Sequence, residues 1–387
     1  MSTINHSAGL DTKIELEGTH RARTAEETWR TISAKLKDYD ITRVAEVTHL
    51  DCIGIPVFVA VRPNAGSLAV SQGKGATPLL AKISAVMESI ELWHAEQPNL
   101  VGYSCTTDVL RGLYPVSALG PRVDPEIIEN LCFDWYTGRG IITGDRFPVP
   151  AALVRASTSV GHDWSPAIFH GSSTGLASGN TVAEATLHAL YEVIERDVVS
   201  GLRVGRDDAR KYFTPESIAA PHFRGFMDKL RAAGAEVEVA MVPNSYGIPT
   251  AISYVWSMEF PALCAGSGSH SDPVVAASRA LSEAVQTRLT RITGTRDDIE
   301  SDWNPFIFLP TSPNLETEGA DWSTLLTDEL LAEQSLSAEV NAVAQRVQAV
   351  TGYEPIVIDL STDPSTFAVV KVICPGSGKF PRGWVPR

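Results

Sequence analysis

The chain has 387 residues, 44% hydrophobic and 20% charged, enough to bury a large core in one big domain or two modest ones. A formal charge of −14, with no Lys/Arg run longer than two, leaves no electrostatic footprint for a nucleic-acid backbone. Cys52, Cys105, Cys132, Cys264 and Cys374 lie far apart with neither C-x-x-C nor zinc-finger spacing, and no 18 apolar residues run together, so a reduced, cytoplasmic protein without signal peptide or membrane span is expected.

Residues 1–20 are polar and aperiodic and read as a loose arm or an added edge that carries no legible chemistry. With a helix over 25–36 they make an N-terminal segment, residues 1–40. Residues 41–50 alternate as a strand, 53–62 (IGIPVFVAVR) suit a central strand, and 67–71 are placed to pair with it across Pro63-Asn64-Ala65-Gly66. Gly73-Lys74-Gly75 reads as a glycine turn before Thr77 and Pro78, an N-cap and first helical residue. In the helix expected over 78–95, Ser84, Glu88 and Glu91 share one face, and Leu79, Val86, Ile90 and Trp93 the other. Residues 100–170 read as connecting strands, clearest at 133–138 and 148–157, with turns between Gly138 and Gly144.

From Gly171 the chain reads GSSTGLASGN and enters a second helix, with Thr181 as N-cap and Glu184 at capping-box spacing. At 100° per residue Glu184, His188, Glu192 and Glu195 fall within about one quadrant, beside an apolar stripe of Leu187, Leu190, Tyr191, Ile194 and Val198. A charged helical segment over 201–235 precedes strands at 235–244 and 249–257. Gly266-Ser267-Gly268-Ser269 then leads through the N-cap Asp272 and Pro273 into a third helix. Arg279, Glu283, Gln286 and Thr290 share one of its faces; Leu281, Val285, Leu289 and Ile292 share the other. Residues 301–330 are irregular, 328–351 helical, 354–360 and 367–373 strands, and 376–387 a tail. Helices between β runs indicate an α/β or α+β fold.

Carboxylates are hard oxygen ligands suited to Mg²⁺, which proteins usually hold together with substrate phosphates. Glycine turns at helix starts offer N–H groups to phosphate. The P-loop and G-x-G-x-x-G signatures are both absent, so the residues point to a nucleotide site of another kind. Plainer readings stand beside this one. Glu184 serves equally as a cap, the i, i+3 glutamate pairs as solvated surface, Arg196-Asp197 as a structural ion pair, His94 and His188 as packing, and the glycines as ordinary turns. Cys264 near His270 is poor evidence for a nucleophile–base pair.

Four stretches in this order resemble the YcaO family: DCIGIPVFVAVRPN, SQGKGATPLLAKISAVMESIE, STGLASGNTVAEATLHALYEVIERD and SDPVVAASRALSEAVQTRLTRITGTRDD. The resemblance implies a YcaO-type α/β (α+β) fold, a catalytic domain over 41–375 around a non-P-loop ATP site, and ATP-dependent phosphorylation of a peptide backbone amide oxygen. Its S-x-x-x-E-x-x-E pattern falls on Ser84, Glu88 and Glu91, and its E-x-x-E-R pattern on Glu192, Glu195 and Arg196. It implies that Glu88, Glu91, Glu192 and Glu195 hold Mg²⁺, with catalysis carried by Glu195, Arg196 and Gln286. Ser84, Arg196 and Lys74 would meet phosphate, Glu184 the nucleoside, and Arg279, Glu283 and Gln286 would complete the ATP pocket. Many members carry Arg after the second glutamate of the first motif, where this chain has Leu92; Arg291 and Arg296 are the candidate replacements.

Azoline-forming relatives often end in P-x-P-x-P, whereas this chain ends FPRGWVPR. The resemblance therefore implies thioamide formation on a substrate peptide or protein, with a separate partner protein and a homodimeric enzyme. An azoline-forming cyclodehydratase, a non-catalytic accessory and a ligase or kinase acting on a small molecule are the alternatives.

Overall fold

Each of the three carboxylate-bearing helices begins just after a strand rich in small residues, and this repeat organises the molecule. The computed structural model describes residues 11–129, 131–156, 168–169, 171–203, 210–294, 311–325, 333 and 335–378. Among the described residues, six helices longer than two turns are α1 (Ala25–Ser33), α2 (Pro78–Glu96), α3 (Val182–Arg203), α4 (Pro221–Ala232), α5 (Pro273–Thr293) and α6 (Leu336–Thr351). The sheets pair antiparallel throughout.

Val70–Lys74 is an edge of a three-stranded sheet and leads into α2. Leu176–Gly179 is an edge of a six-stranded sheet and leads into α3. Phe260–Ser269 is an edge of a four-stranded sheet and leads into α5. Every helix packs against its own strand and also touches the strand of the next unit: α2 meets Leu176–Gly179, α3 meets Phe260–Ser269, and α5 meets Val70–Lys74. The three units thus close into a ring, and the polar helix faces look inward.

The glycine stretches read as turns are these strands. A Cβ on Gly73 would lie 2.0 Å from the Ala85 backbone nitrogen, one on Gly179 2.5 Å from that of Ala185, and one on Gly266 2.2 Å from the Ala280 carbonyl. The facing alanines are fully buried. Glycine is there so that strand and helix backbones touch, and the stretches looked like turns because glycine usually punctuates a chain.

The caps follow the sequence. Thr77 accepts from the Leu80 N–H and Asp272 from the Val274 N–H, each followed by proline in the first turn. Thr181 accepts from the Glu184 N–H at 3.1 Å, but the Glu184 carboxylate leaves the cap and bonds the Ala22 N–H at 2.8 Å. Other expected elements are shorter: 41–50 yields a strand only over Arg43–Glu46, and 53–62 only over Val57–Val61. The β reading of 148–157 fails beyond Pro150, where Ala151–Val154 form a helical turn.

Residues 11–21 of the N-terminal segment pack onto the body of the fold. Thr12 bridges to Ser335, Asp11 bonds the Ser337 N–H at 2.8 Å at the start of α6, and Ile14–Leu16 pairs with Thr19–Arg21. Lys13 pairs with Glu339, which also accepts from Tyr191 and from Ser271. These contacts tie the arm to α3 and α6. The largest cluster of buried side chains joins α2 to the six-stranded sheet around Trp135, Tyr136 and Ile90, and a second joins α3, α6 and the strand Ala368–Ile373.

Candidate functional site

The inward faces of α2, α3 and α5 enclose a cavity of about 1660 Å³. Lys74, Ser84, Glu88, Glu91, Glu184, Glu192, Glu195, Arg196, Arg279, Glu283 and Gln286 all line it, as does Arg291; Arg296 lies outside the described residues. Residues more than 200 positions apart meet here because the helical period put them on inward faces and the ring turned those faces together.

The next unit's strand supplies a donor to a carboxylate on each helix. Ser178 Oγ donates to Glu91 at 2.6 Å, Ser267 Oγ to Glu195 at 2.7 Å, and Lys74 Nζ to Glu283 at 2.7 Å. Glu192 accepts the Gly175 N–H at 3.2 Å. Arg196 stands 3.9 Å from both Glu192 and Glu195, too far for a tight pair, and its side chain is 40% exposed. Arg196 faces these two glutamates, whereas the neighbouring Asp197 carboxylate accepts from the Tyr246 hydroxyl and the Gly378 N–H, both at 2.5 Å.

Burial pushes the Glu91 carboxyl up to about 8; the Ser178 hydroxyl opposes this, while Glu88 and Glu192 add to it. Burial likewise takes Glu192 up to about 7, with Arg196 opposing and Glu195 adding. Burial also works to raise Glu283, but Lys74 and Arg196 outweigh it and hold that carboxyl below its usual value. His188 is held well below the usual imidazole range by burial, reinforced by Arg279, Arg21 and Lys74, so it is neutral at pH 7. Carboxyls raised in the folded state contribute stability below their ordinary pKa and lose it as pH rises through the folded value. With chelator present, the melting temperature should accordingly fall as pH rises from about 5 to about 8, and Glu91→Gln should flatten that fall. A melting curve indifferent to pH over this range would count against the buried carboxyls.

The donor set fits a magnesium-bound polyphosphate. Arg279 Nε is buried without a hydrogen-bond partner at the cavity wall, a donor left for an anion. Among the described residues no three His, Cys, Asp or Glu side chains converge to hold one ion by themselves. Mg²⁺ commonly takes one or two carboxylates and completes its octahedron with phosphate and water, so carboxylates spaced around a cavity suit it.

Several contributors escaped the sequence reading. Arg21 and Arg23, just past the arm of residues 1–20, enter the cavity, and Arg21 stands 3.5 Å from Glu184. Ser178 and Asn180 come from the strand before α3 and the residue after it; Asn180 Nδ2 donates to Glu184 at 3.1 Å. Lys371 was legible as a lone lysine in the apolar strand AVVKVI. It is buried, and burial brings it down to about 8 against the attraction of Glu192. Leu92 is buried in the core, and Gln286 Nε2 donates to the Gln72 carbonyl at 3.1 Å. Cys264 is a buried strand residue whose thiol burial pushes up to about 11, which disqualifies it as a nucleophile.

Comparison with known proteins places the whole chain among relatives of one family. Residues 72–377 match the family model described as YcaO cyclodehydratase, ATP- and Mg²⁺-binding. An uncharacterized protein of Mycobacterium tuberculosis is 34% identical, over 97% of this chain and 86% of its own. One from Methanothermobacter thermautotrophicus is 33% identical, over 92% and 94%. A Rhizobium leguminosarum relative, described as an uncharacterized protein in the tfuA 3′ region, is 32% identical, over 92% and 88%. Among solved structures, YcaO from Methanopyrus kandleri bound with AMPPCP and Mg²⁺ superposes with a TM-score of 0.73 at 22% identity, over 95% of each chain. A heterocyclase in complex with substrate and cofactor gives a TM-score of 0.75 at 21% identity, and this chain spans 55% of its length.

Proposed function

The chain belongs to the YcaO family, ATP- and Mg²⁺-binding proteins of cyclodehydratase type, and from that premise we propose that it activates a peptide backbone amide by O-phosphorylation and forms a thioamide with the help of a partner protein. The observation that carries this is the gathering of the carboxylates and cations of three helices around one cavity. When bound, Mg·ATP supplies the phosphoryl group that turns the amide oxygen into a leaving group. Glu88, Glu91, Glu192 and Glu195 hold the metal in this reading. Ser84, Lys74, Arg196 and Arg279 meet the phosphates, and Glu195, Arg196 and Gln286 flank the reacting group. Glu184, tied to Ala22 and Asn180, fixes the nucleoside end, and Arg291 stands in for the arginine that Leu92 replaces.

The relative described as lying in the tfuA 3′ region supports a partner encoded nearby, the arrangement that this reading pairs with thioamide formation. A microcin synthetase McbBCD complex bound to its pro-peptide is also structurally similar, with a TM-score of 0.61. The test is to incubate the chain with Mg·ATP, sulfide and peptide extract from a host lacking it, with and without the neighbouring gene product, and follow phosphate release and peptide mass. Exchange of one oxygen for sulfur is the expected result. Loss of one water instead would assign the azoline reaction, and no ATP consumption under any condition would leave the accessory role.

A further inference from the structure

Residues 171–175, GSSTG, join the cavity wall to the strand before α3, and the first four of them line the cavity. Beneath them lies Lys371, 2% exposed, whose Nζ donates to the Ser172 carbonyl at 2.6 Å and the Thr174 carbonyl at 2.9 Å. A trans peptide carries its C=O and N–H on opposite sides, and the chain contains no cis bond among the described residues. With the Thr174 carbonyl turned down onto Lys371, the Gly175 N–H must point away from it, and it does, onto Glu192. The same plane geometry at Ser172 sends the Ser173 N–H away from Lys371, and Ser173 is an exposed residue that lines the cavity.

The loop is held in this sense from its far end. Gly175 has φ +79°, a Cβ there would lie 2.2 Å from the Val372 carbonyl, and its own carbonyl accepts the Val372 N–H at 2.7 Å. A cation on the carbonyl side also polarises the peptide group and strengthens its N–H as a donor.

We propose that Lys371 is a positioning residue which aims the Ser173 N–H at the anionic oxygens of the phosphoryl group being transferred, on the Glu192 side of the cavity. This rests on the Mg·ATP reading above. It gives the site a preorganised backbone donor that no side-chain motif encodes.

The test is isothermal titration of Mg²⁺ with a non-hydrolysable ATP analogue, and of Mg·ADP, into the wild type and four variants. Lys371→Met should lower the ratio of triphosphate to diphosphate affinity by about tenfold or more, the worth of one charge-assisted hydrogen bond. Lys371→Arg, whose fork can still reach both carbonyls, should restore most of it. Ser173→Pro, which deletes the N–H, should lower the ratio more than Ser173→Ala, which keeps it. A folded Lys371→Met protein with an unchanged ratio, including one that binds both nucleotides equally more weakly, overturns the proposal. Should Lys371→Met fail to fold, the Ser173 pair decides: equal ratios overturn it. A wild type that binds neither nucleotide overturns the Mg·ATP reading instead.

Discussion

Glu195→Gln is expected to weaken binding of Mg²⁺ with a non-hydrolysable ATP analogue by more than about 100-fold, since even groups that only support a metal ligand are worth 10–100-fold. The carboxylate is 3% exposed, accepts from Ser267 and stands near Arg196, so the amide keeps the shape of the site and removes one negative charge. Titration calorimetry measures the affinity, and an unchanged melting temperature without ligand shows that the fold has survived. Wild-type affinity in the variant would remove Glu195 from the metal site. Loss of binding by a folded protein would tie the carboxylate to the ion rather than to packing.

Asp51→Ala should cost the fold about 3–5 kcal/mol, the cost of stranding a buried charge. Arg288 is 1% exposed and pairs with Asp51 at 2.8 and 3.1 Å, while its remaining donors reach Ser257 Oγ at 2.9 Å and the Phe260 carbonyl at 3.2 Å. The pair fastens α5 to the loop before the strand Val57–Val61. Without its anion the guanidinium has no water to turn to. Thermal unfolding should shift down by several degrees, at about 2 °C per kcal/mol for a chain of this size. Asp51→Ala with Arg288→Met should recover much of the loss, because a neutral side chain of similar length leaves no charge behind. A single variant as stable as the wild type would show that water enters this contact.

The inward helix faces were legible in the sequence because a helix writes its sidedness into spacing: Glu88/Glu91, Glu192/Glu195 and Arg279/Glu283/Gln286 all reach one cavity. Two kinds of feature were not legible. Gly73, Gly179 and Gly266 looked like loop residues because their purpose is contact with an alanine on a helix, which composition does not encode. The arm looked inert because the partner of Lys13, Glu339, lies far along the chain. Lys371 showed itself only as a polar residue in an apolar strand, and its two carbonyl acceptors depend on the fold.

The three strand-to-helix donors, Ser178 to Glu91, Ser267 to Glu195 and Lys74 to Glu283, each cross from one unit to another. Glu91, Glu195 and Glu283 each take a donor from a neighbouring unit, so the geometry of these carboxylates depends on closure of the ring. A ligand that bridges the carboxylates draws on all three sheets at once and acts as a keystone, stabilising elements that it never touches.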